Sequence, residues 1–190
     1  MHWYSSPSSL ITFAWAGWAA SWLAAAVWTR RTSARAGGAE LPSRLVSLVG
    51  AGLLFTPTHG FSLGPDWDVS EATAWAMFGM VIFGIAFAWW ARLHLGTLWS
   101  GSVTRKADHR VVETGPYALV RHPIYTGLLA SAFATAVARG ELVALIGAIL
   151  FSLGIWMKAR LEERFLSEEL GPEYAAYRKR VPMLVPFLRF

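Results

Sequence analysis

The sequence predicts an all-α fold, a polytopic integral membrane bundle of about five transmembrane helices, and three observations carry that reading. Of 190 residues, 55% are hydrophobic and only 15% charged, with 11 Trp; a soluble domain of this length needs more polar surface. The apolar residues collect in five segments. The Arg and Lys residues behind the net charge of +5 fall between these segments rather than in one stripe, an arrangement of cytoplasmic membrane loops and not of a nucleic-acid partner. The chain has no cysteine, which excludes disulfides, thiolate metal sites and a cysteine nucleophile.

A helix needs roughly 20 apolar residues to span a bilayer. The first segment, about Leu10 to Trp28, and the third, about Val69 to Trp90, qualify outright. The second (about Leu45 to Pro57), fourth (about Tyr125 to Ala138) and fifth (about Leu142 to Met157) are short. Arg139-Gly140-Glu141 leaves almost no loop between the last two, which predicts a tight helical hairpin. Trp residues at 15, 18, 22, 28, 75, 89 and 90 supply interfacial belt candidates. No Lys or Arg precedes the first segment, so it does not read as a signal peptide. Beyond the fifth segment, Leu161 to Leu170 predicts a helix ending at Gly171-Pro172, and Glu173 to Arg180 a second that stops at Val181-Pro182. Pro186-Phe187-Leu188 reads as an interfacial anchor.

Loop charges orient the bundle. Arg30, Arg31, Arg35 and Arg44 follow the first segment; Arg92, Arg105, Lys106, Arg110 and Arg121 follow the third; Lys158, Arg160 and Arg164 follow the fifth. The stretch from His59 to Ser70 holds Asp66 and Asp68 and no Lys or Arg. The alternation predicts the N-terminus outside and the C-terminus in the cytoplasm. Two polar stretches then share the cytoplasmic side, Leu93 to Val120 and Lys158 to Phe190.

Between those stretches lies the chemistry. Gly115-Pro116-Tyr117 makes a turn, and Arg121-His122-Pro123-Ile124-Tyr125 follows where the chain re-enters the membrane. Ionisable groups at that boundary are functional candidates, although Arg121 also fits a simple anchor to lipid headgroups. Glu162-Glu163 answers from beyond the fifth segment. Lys158 and Glu162, four apart, share a helix face, and Glu163 points about 100° away from Glu162. His109 and His122 lack a third ligand at metal-site spacing, so no metal is expected.

His109-Arg110-Val111-Val112, Gly115-Pro116-Tyr117, Arg121-His122-Pro123-Ile124-Tyr125 and Gly127, then Glu162-Glu163, Gly171-Pro172-Glu173-Tyr174 and Tyr177-Arg178-Lys179-Arg180-Val181-Pro182, together resemble the isoprenylcysteine carboxyl methyltransferase family. The resemblance covers about Gly96 to Phe187. It implies methyl transfer from S-adenosyl-L-methionine to a lipophilic acceptor entering from the bilayer, within a single membrane domain over 1–190 whose half 92–190 binds cofactor and acts. It also implies that His109, Arg110, Val111, Val112, Tyr117, His122, Pro123, Ile124, Tyr125 and Glu162 line the cofactor. Arg110 stands where the family has a small polar residue. Lys158 stands where the prenylcysteine enzymes place a substrate-facing Arg, and is the catalytic candidate; a Lys cannot make the planar bidentate grip of Arg on a carboxylate. Phospholipid-amine and small-thiol methyltransferases share the motif set and are alternatives. An NADPH-dependent membrane reductase, with Arg105, Lys106 and Arg110 for phosphates, and a non-enzymatic membrane scaffold are more distant ones.

The residue chemistry agrees in kind. Tyr117 and Tyr125 offer rings to an adenine or a sulfonium cation. A carboxylate at Glu162 accepts from ribose hydroxyls or an ammonium. In-line methyl transfer depends on positioning and exclusion of water more than on proton transfer.

Overall fold

Each apolar segment of the sequence becomes a helix in the computed structural model, which describes residues 6–25, 32–35, 37–56, 65–96, 104–106 and 111–188. Helix α1 spans Pro7–Ala25, with Ser6 Oγ accepting from the Ser9 amide. Helix α2 spans Leu41–Phe55 with Pro42 in its first turn, where a missing N–H costs nothing. Helix α3, Glu71–Leu95, is capped by Ser70, whose side chain accepts from the Thr73 amide at 3.1 Å, and Glu71 complements the positive end of its dipole. Helix α4 is Pro123–Arg139 and helix α5 is Leu142–Arg180.

The α4–α5 hairpin is as tight as the sequence implies. Gly140 (φ 67°) caps α4 in the left-handed conformation, and its carbonyl accepts from the Trp67 amide at 2.8 Å. A side chain there would run into the Trp67 carbonyl.

Three features depart from expectation. Among the described residues α3 and α5 are long and apolar enough to cross a membrane, so two of the five expected spans meet that criterion. Helix α2 is only 15 residues long. Helix α4 is shorter than a span and keeps Ser131 and Thr135 buried among its alanines. Secondly, α5 runs through the break expected after Met157. It continues unbroken to Leu170, and a second helical stretch follows Gly171, which turns out of helical geometry (φ 53°, ψ −128°) before Pro172. The break expected at Gly171-Pro172 is present, as a kink between the two stretches. Thirdly, a short antiparallel ladder joins β1 (Thr32–Arg35) to β2 (Thr104–Lys106), so the fold is helical with one two-stranded addition.

The helices pack through small residues and present large ones outward. Gly84 of α3 and Gly127 of α4 meet so closely that a Cβ on Gly84 would lie 2.5 Å from the Gly127 carbonyl oxygen. Ser131 Oγ donates across that seam to the Val81 carbonyl at 3.2 Å. Gly50 of α2 meets Gly147 and Phe151 of α5 in the same way. Leu45, Leu48, Met80, Phe83, Ile149 and Leu153 are exposed. This inverted pattern is that of a membrane protein, where lipid covers the apolar faces and close backbone approach holds helices together.

The segment after α5 folds back on the start of α4. The Arg121 amide donates to the Pro182 carbonyl (2.9 Å), the His122 amide to the Met183 carbonyl (3.1 Å) and Thr126 Oγ1 to the Leu184 carbonyl (2.6 Å). No side chain caps α4; this returning backbone holds its approach instead.

Candidate functional site

Three pieces of chain converge where that return meets the Arg121-His122 pair: the turn Gly115–Ala118, the first turn of α4 and the middle of α5. Gly115 (φ 59°) lets the turn lie against the His94 ring, where a Cβ would come within 2.8 Å of it. The turn carries Tyr117 inward. Its ring stacks on His94 with centroids 6.3 Å apart, and its carbonyl accepts from Tyr177 Oη at 2.7 Å. Burial, reinforced by Tyr177 and Glu162, pushes the Tyr117 phenol far above its ordinary range, so it stays protonated.

His122 sits between two carboxylates. Its Nε2 lies 2.9 Å from Glu163 Oε1 and its Nδ1 3.4 Å from Glu162 Oε2. Burial alone would lower its pKa, but the hydrogen bonds and charges of Glu162 and Glu163 outweigh it and the net shift is upward. A carboxylate facing each nitrogen favours the imidazolium form, with Nε2 donating to Glu163 and Nδ1 ion-paired with Glu162. It stacks on Tyr125 at 5.6 Å with an interplanar angle of 11°. Tyr125 Oη in turn donates to Glu162 Oε1 at 2.6 Å. One turn before Glu162, Lys158 holds Nζ 5.8 Å from the centre of the Tyr125 ring.

Glu163 is the hub, and this corrects the expectation that it points idly away. It is buried, and its two oxygens accept from Arg121 Nε (2.8 Å), Arg121 Nη2 (3.0 Å), His122 Nε2 (2.9 Å), Tyr174 Oη (2.8 Å) and Arg178 Nε (3.0 Å). The 100° offset is real, but it turns Glu163 inward. Arg121 is likewise buried, and donates further to the Arg178 and Val181 carbonyls rather than to lipid headgroups. Glu162, with 19% of its side chain exposed against 5% for Glu163, is the carboxylate of the pair that reaches the surface.

The structure thus brings together Tyr125, His122, Glu162 and Lys158, with Tyr117 beside them. Pro123 and Ile124 are buried at the head of α4, and Ile124 packs in the same core cluster as Tyr117. Val112 is half-buried against that cluster, and Val111 against Tyr174, Tyr177 and Val181. His109 and Arg110 lie outside the described residues. Sequence reasoning missed Glu163 and Arg178. A signal existed: Glu163, Ser167, Tyr174 and Arg178 recur at helical spacing, and Ser167 also accepts from Arg178 Nη1 at 3.1 Å.

Chemically this is a binding arrangement. Three cations (Arg121, His122, Arg178) and two carboxylates are locked together, so the network offers no group poised as a strong base or nucleophile. Its outer edge offers the partly exposed Glu162 carboxylate, a phenol and the Lys158 ammonium. Among the described residues no group of three His, Asp or Glu is placed to hold a metal ion.

Comparison with known proteins follows the same residues. Residues 77–168 match the family model described as the isoprenylcysteine carboxyl methyltransferase family. The chain is 38% identical over 88 residues to the protein-S-isoprenylcysteine O-methyltransferase of Schizosaccharomyces pombe, covering 44% of this chain and 36% of that protein. It is 33% identical over 137 residues to methanethiol S-methyltransferase 2 of Bradyrhizobium diazoefficiens, covering 65% of this chain and 51% of that one. The chain therefore spans about a third to a half of the length of these curated relatives. In structure it is similar to a eukaryotic intramembrane Ras methyltransferase, an isoprenylcysteine carboxyl methyltransferase, with a TM-score of 0.61 at 20% identity over 98% of this chain and 70% of the other.

Proposed function

We propose, from the match of residues 77–168 to the isoprenylcysteine carboxyl methyltransferase family model, that the chain transfers a methyl group from S-adenosyl-L-methionine to a lipophilic acceptor in the membrane. The observation that carries the reading is the edge formed by Glu162, Tyr125 and Lys158 above the buried imidazolium of His122. It fits the cofactor's chemistry. The Glu162 side chain is partly exposed and its carboxylate can accept from ribose hydroxyls or an ammonium, and the aromatic faces suit an adenine or a sulfonium charge.

Bound there, S-adenosyl-L-methionine supplies an electrophilic methyl group; the residues of the chain do the rest. Glu162 orients the cofactor, itself held by Tyr125 and His122. Val111 and Val112 line the approach, and the family resemblance adds His109 and Arg110, which lie outside the described residues. Pro123 and Ile124 support the pocket from behind, with Tyr117. Lys158 faces the acceptor's head group and fixes it in line with the methyl. No residue needs to move a proton for a carboxylate acceptor, so orientation and exclusion of water supply the rate. The half 92–190 is the catalytic one within a single domain over 1–190. The positive loops set the N-terminus outside and the site on the cytoplasmic face.

A thiol is the second reading for the acceptor. It is favoured by Lys158 standing where a bidentate Arg would grip a carboxylate.

The test is binding to purified protein in detergent. S-adenosylmethionine and S-adenosylhomocysteine are expected to raise the unfolding midpoint with occupancy, and NADPH is not. A response to NADPH alone ends the methyltransferase reading.

A further inference from the structure

Glu40 is a buried charge that the site described so far does not use. It closes the 3-10 turn Gly37–Glu40 ahead of α2 with 3% of its surface exposed. Its Oε2 accepts from Arg44 Nε at 3.1 Å and Nη2 at 2.7 Å. Both residues lie outside the stretch 77–168 that matches the family.

The packing of α2 on α5 fixes where Glu40 lies. Gly147 sits against Leu54, Gly50 against Gly147 and Phe151, and Gly154 against Ser47 and Ser43. Numbers fall along α2 as they rise along α5, so the helices are antiparallel. Glu40 is one turn before Ser43, and Lys158 is one turn after Gly154, which brings the two to the same level. The Gly37–Glu40 turn packs against α5. Lys158 Nζ at that level stands 5.8 Å from the centre of the Tyr125 ring. The amino-terminal part of the chain thus delivers an ion pair to the outer side of the Lys158–Tyr125–Glu162 edge.

We propose that Glu40 is a specificity-determining residue of the methyl-acceptor pocket, placed beside Lys158 where the acceptor's head group binds; the inference rests on the methyltransferase reading above. Lys158 and Arg44 attract an anionic head such as a carboxylate or thiolate, and Glu40 opposes it. A neutral head feels neither strongly. The balance among these three groups sets how far the pocket prefers anionic acceptors over neutral ones.

The test uses the whole protein in detergent, saturated with S-adenosylhomocysteine. It is titrated calorimetrically with two probes, a farnesyl thioether ending in acetate and its neutral amide. Glu40→Gln is expected to tighten the acetate about fivefold while the amide stays within about twofold, and Arg44→Gln to weaken the acetate by a similar factor. Arg44 has half of its side chain exposed, so its variant keeps the test readable if Glu40→Gln fails to fold. An unchanged acetate-to-amide ratio in the variants, a parallel shift of both probes, or no binding of either probe to the wild-type protein overturns the proposal. Binding of S-adenosylhomocysteine to the wild-type protein is measured first. Its absence removes the methyltransferase reading and this inference with it, whereas its presence with an unmoved ratio removes the role of Glu40 alone.

Discussion

His122 and Glu163 stand 41 residues apart in the chain and 2.9 Å apart in space, joining the start of α4 to the middle of α5 through one ionic hydrogen bond. Around that bond the rest of the site is arranged, and the first expectation concerns its loss.

Glu163→Ala leaves Arg121 buried without its carboxylate. Removing one partner of a buried pair costs about 3 to 5 kcal/mol. Chemical unfolding in detergent should show a loss of that order, larger than for Glu162→Ala. Glu163→Gln keeps acceptor capacity and should recover part of it. Wild-type stability in Glu163→Ala would show that the network contributes nothing.

His122 makes stability depend on pH in a definite sense. Its folded pKa lies above the ordinary 6.5 because Glu162 and Glu163 overcome the effect of burial. A raised pKa means stability that is fully present below pH 6.5 and drains away as pH rises through the folded value. The unfolding midpoint of the wild type should therefore fall on the alkaline side of pH 6.5, and His122→Gln should flatten that part of the profile. Equal slopes in the two proteins would contradict an imidazolium at this position.

Glu162→Gln and Tyr125→Phe should weaken S-adenosylhomocysteine. Loss of a hydrogen bond to a charged group costs about 1.5 to 3 kcal/mol, roughly ten- to a hundredfold in Kd, for Glu162→Gln. Tyr125→Phe acts indirectly, by releasing the Glu162 carboxylate that its phenol holds at 2.6 Å, and its effect should be smaller. Calorimetry on protein with an unchanged unfolding midpoint is the check.

Lys158→Met retains the apolar stem and removes the charge. The acceptor's KM should rise, or kcat fall, with cofactor affinity unchanged. Lys158→Arg should stay active, and improve on a prenylcysteine carboxylate through bidentate contact. Full turnover by Lys158→Met would leave Lys158 as a residue that only snorkels to headgroups.

Much of this was legible in the residues, for physical reasons that also explain the rest. Apolar segments announce helices because each helix buries or presents its own side chains, and so α1 to α5 fall where the sequence puts them. Lys158 and Glu162 could be paired because four residues are one helical turn. The kink at Gly171 followed from a glycine before a proline. Glu163 could not be assigned its partners, because Arg121 and His122 reach it across 42 and 41 residues and no local pattern encodes that meeting. The β1–β2 ladder joins segments some seventy residues apart and was equally silent. An apolar run shows that a helix avoids water and does not tell whether lipid or protein covers it; in α4 Ser131, Thr135 and the alanines face protein.

The backbone bonds from Arg121, His122 and Thr126 to Pro182, Met183 and Leu184 also order events in time. A ribosome delivers α3 and α4 long before those carbonyls exist. Until residues 182 and 183 have been made, the Arg121 and His122 amides have no carbonyl to meet, and until residues 174 and 178 exist the Glu163 cluster lacks Tyr174 and Arg178. Helices can pair early through Gly84 and Gly127, but the binding edge is finished only once residues 174–184 have followed. A nascent chain stalled at Arg180 would be a bundle without a working site.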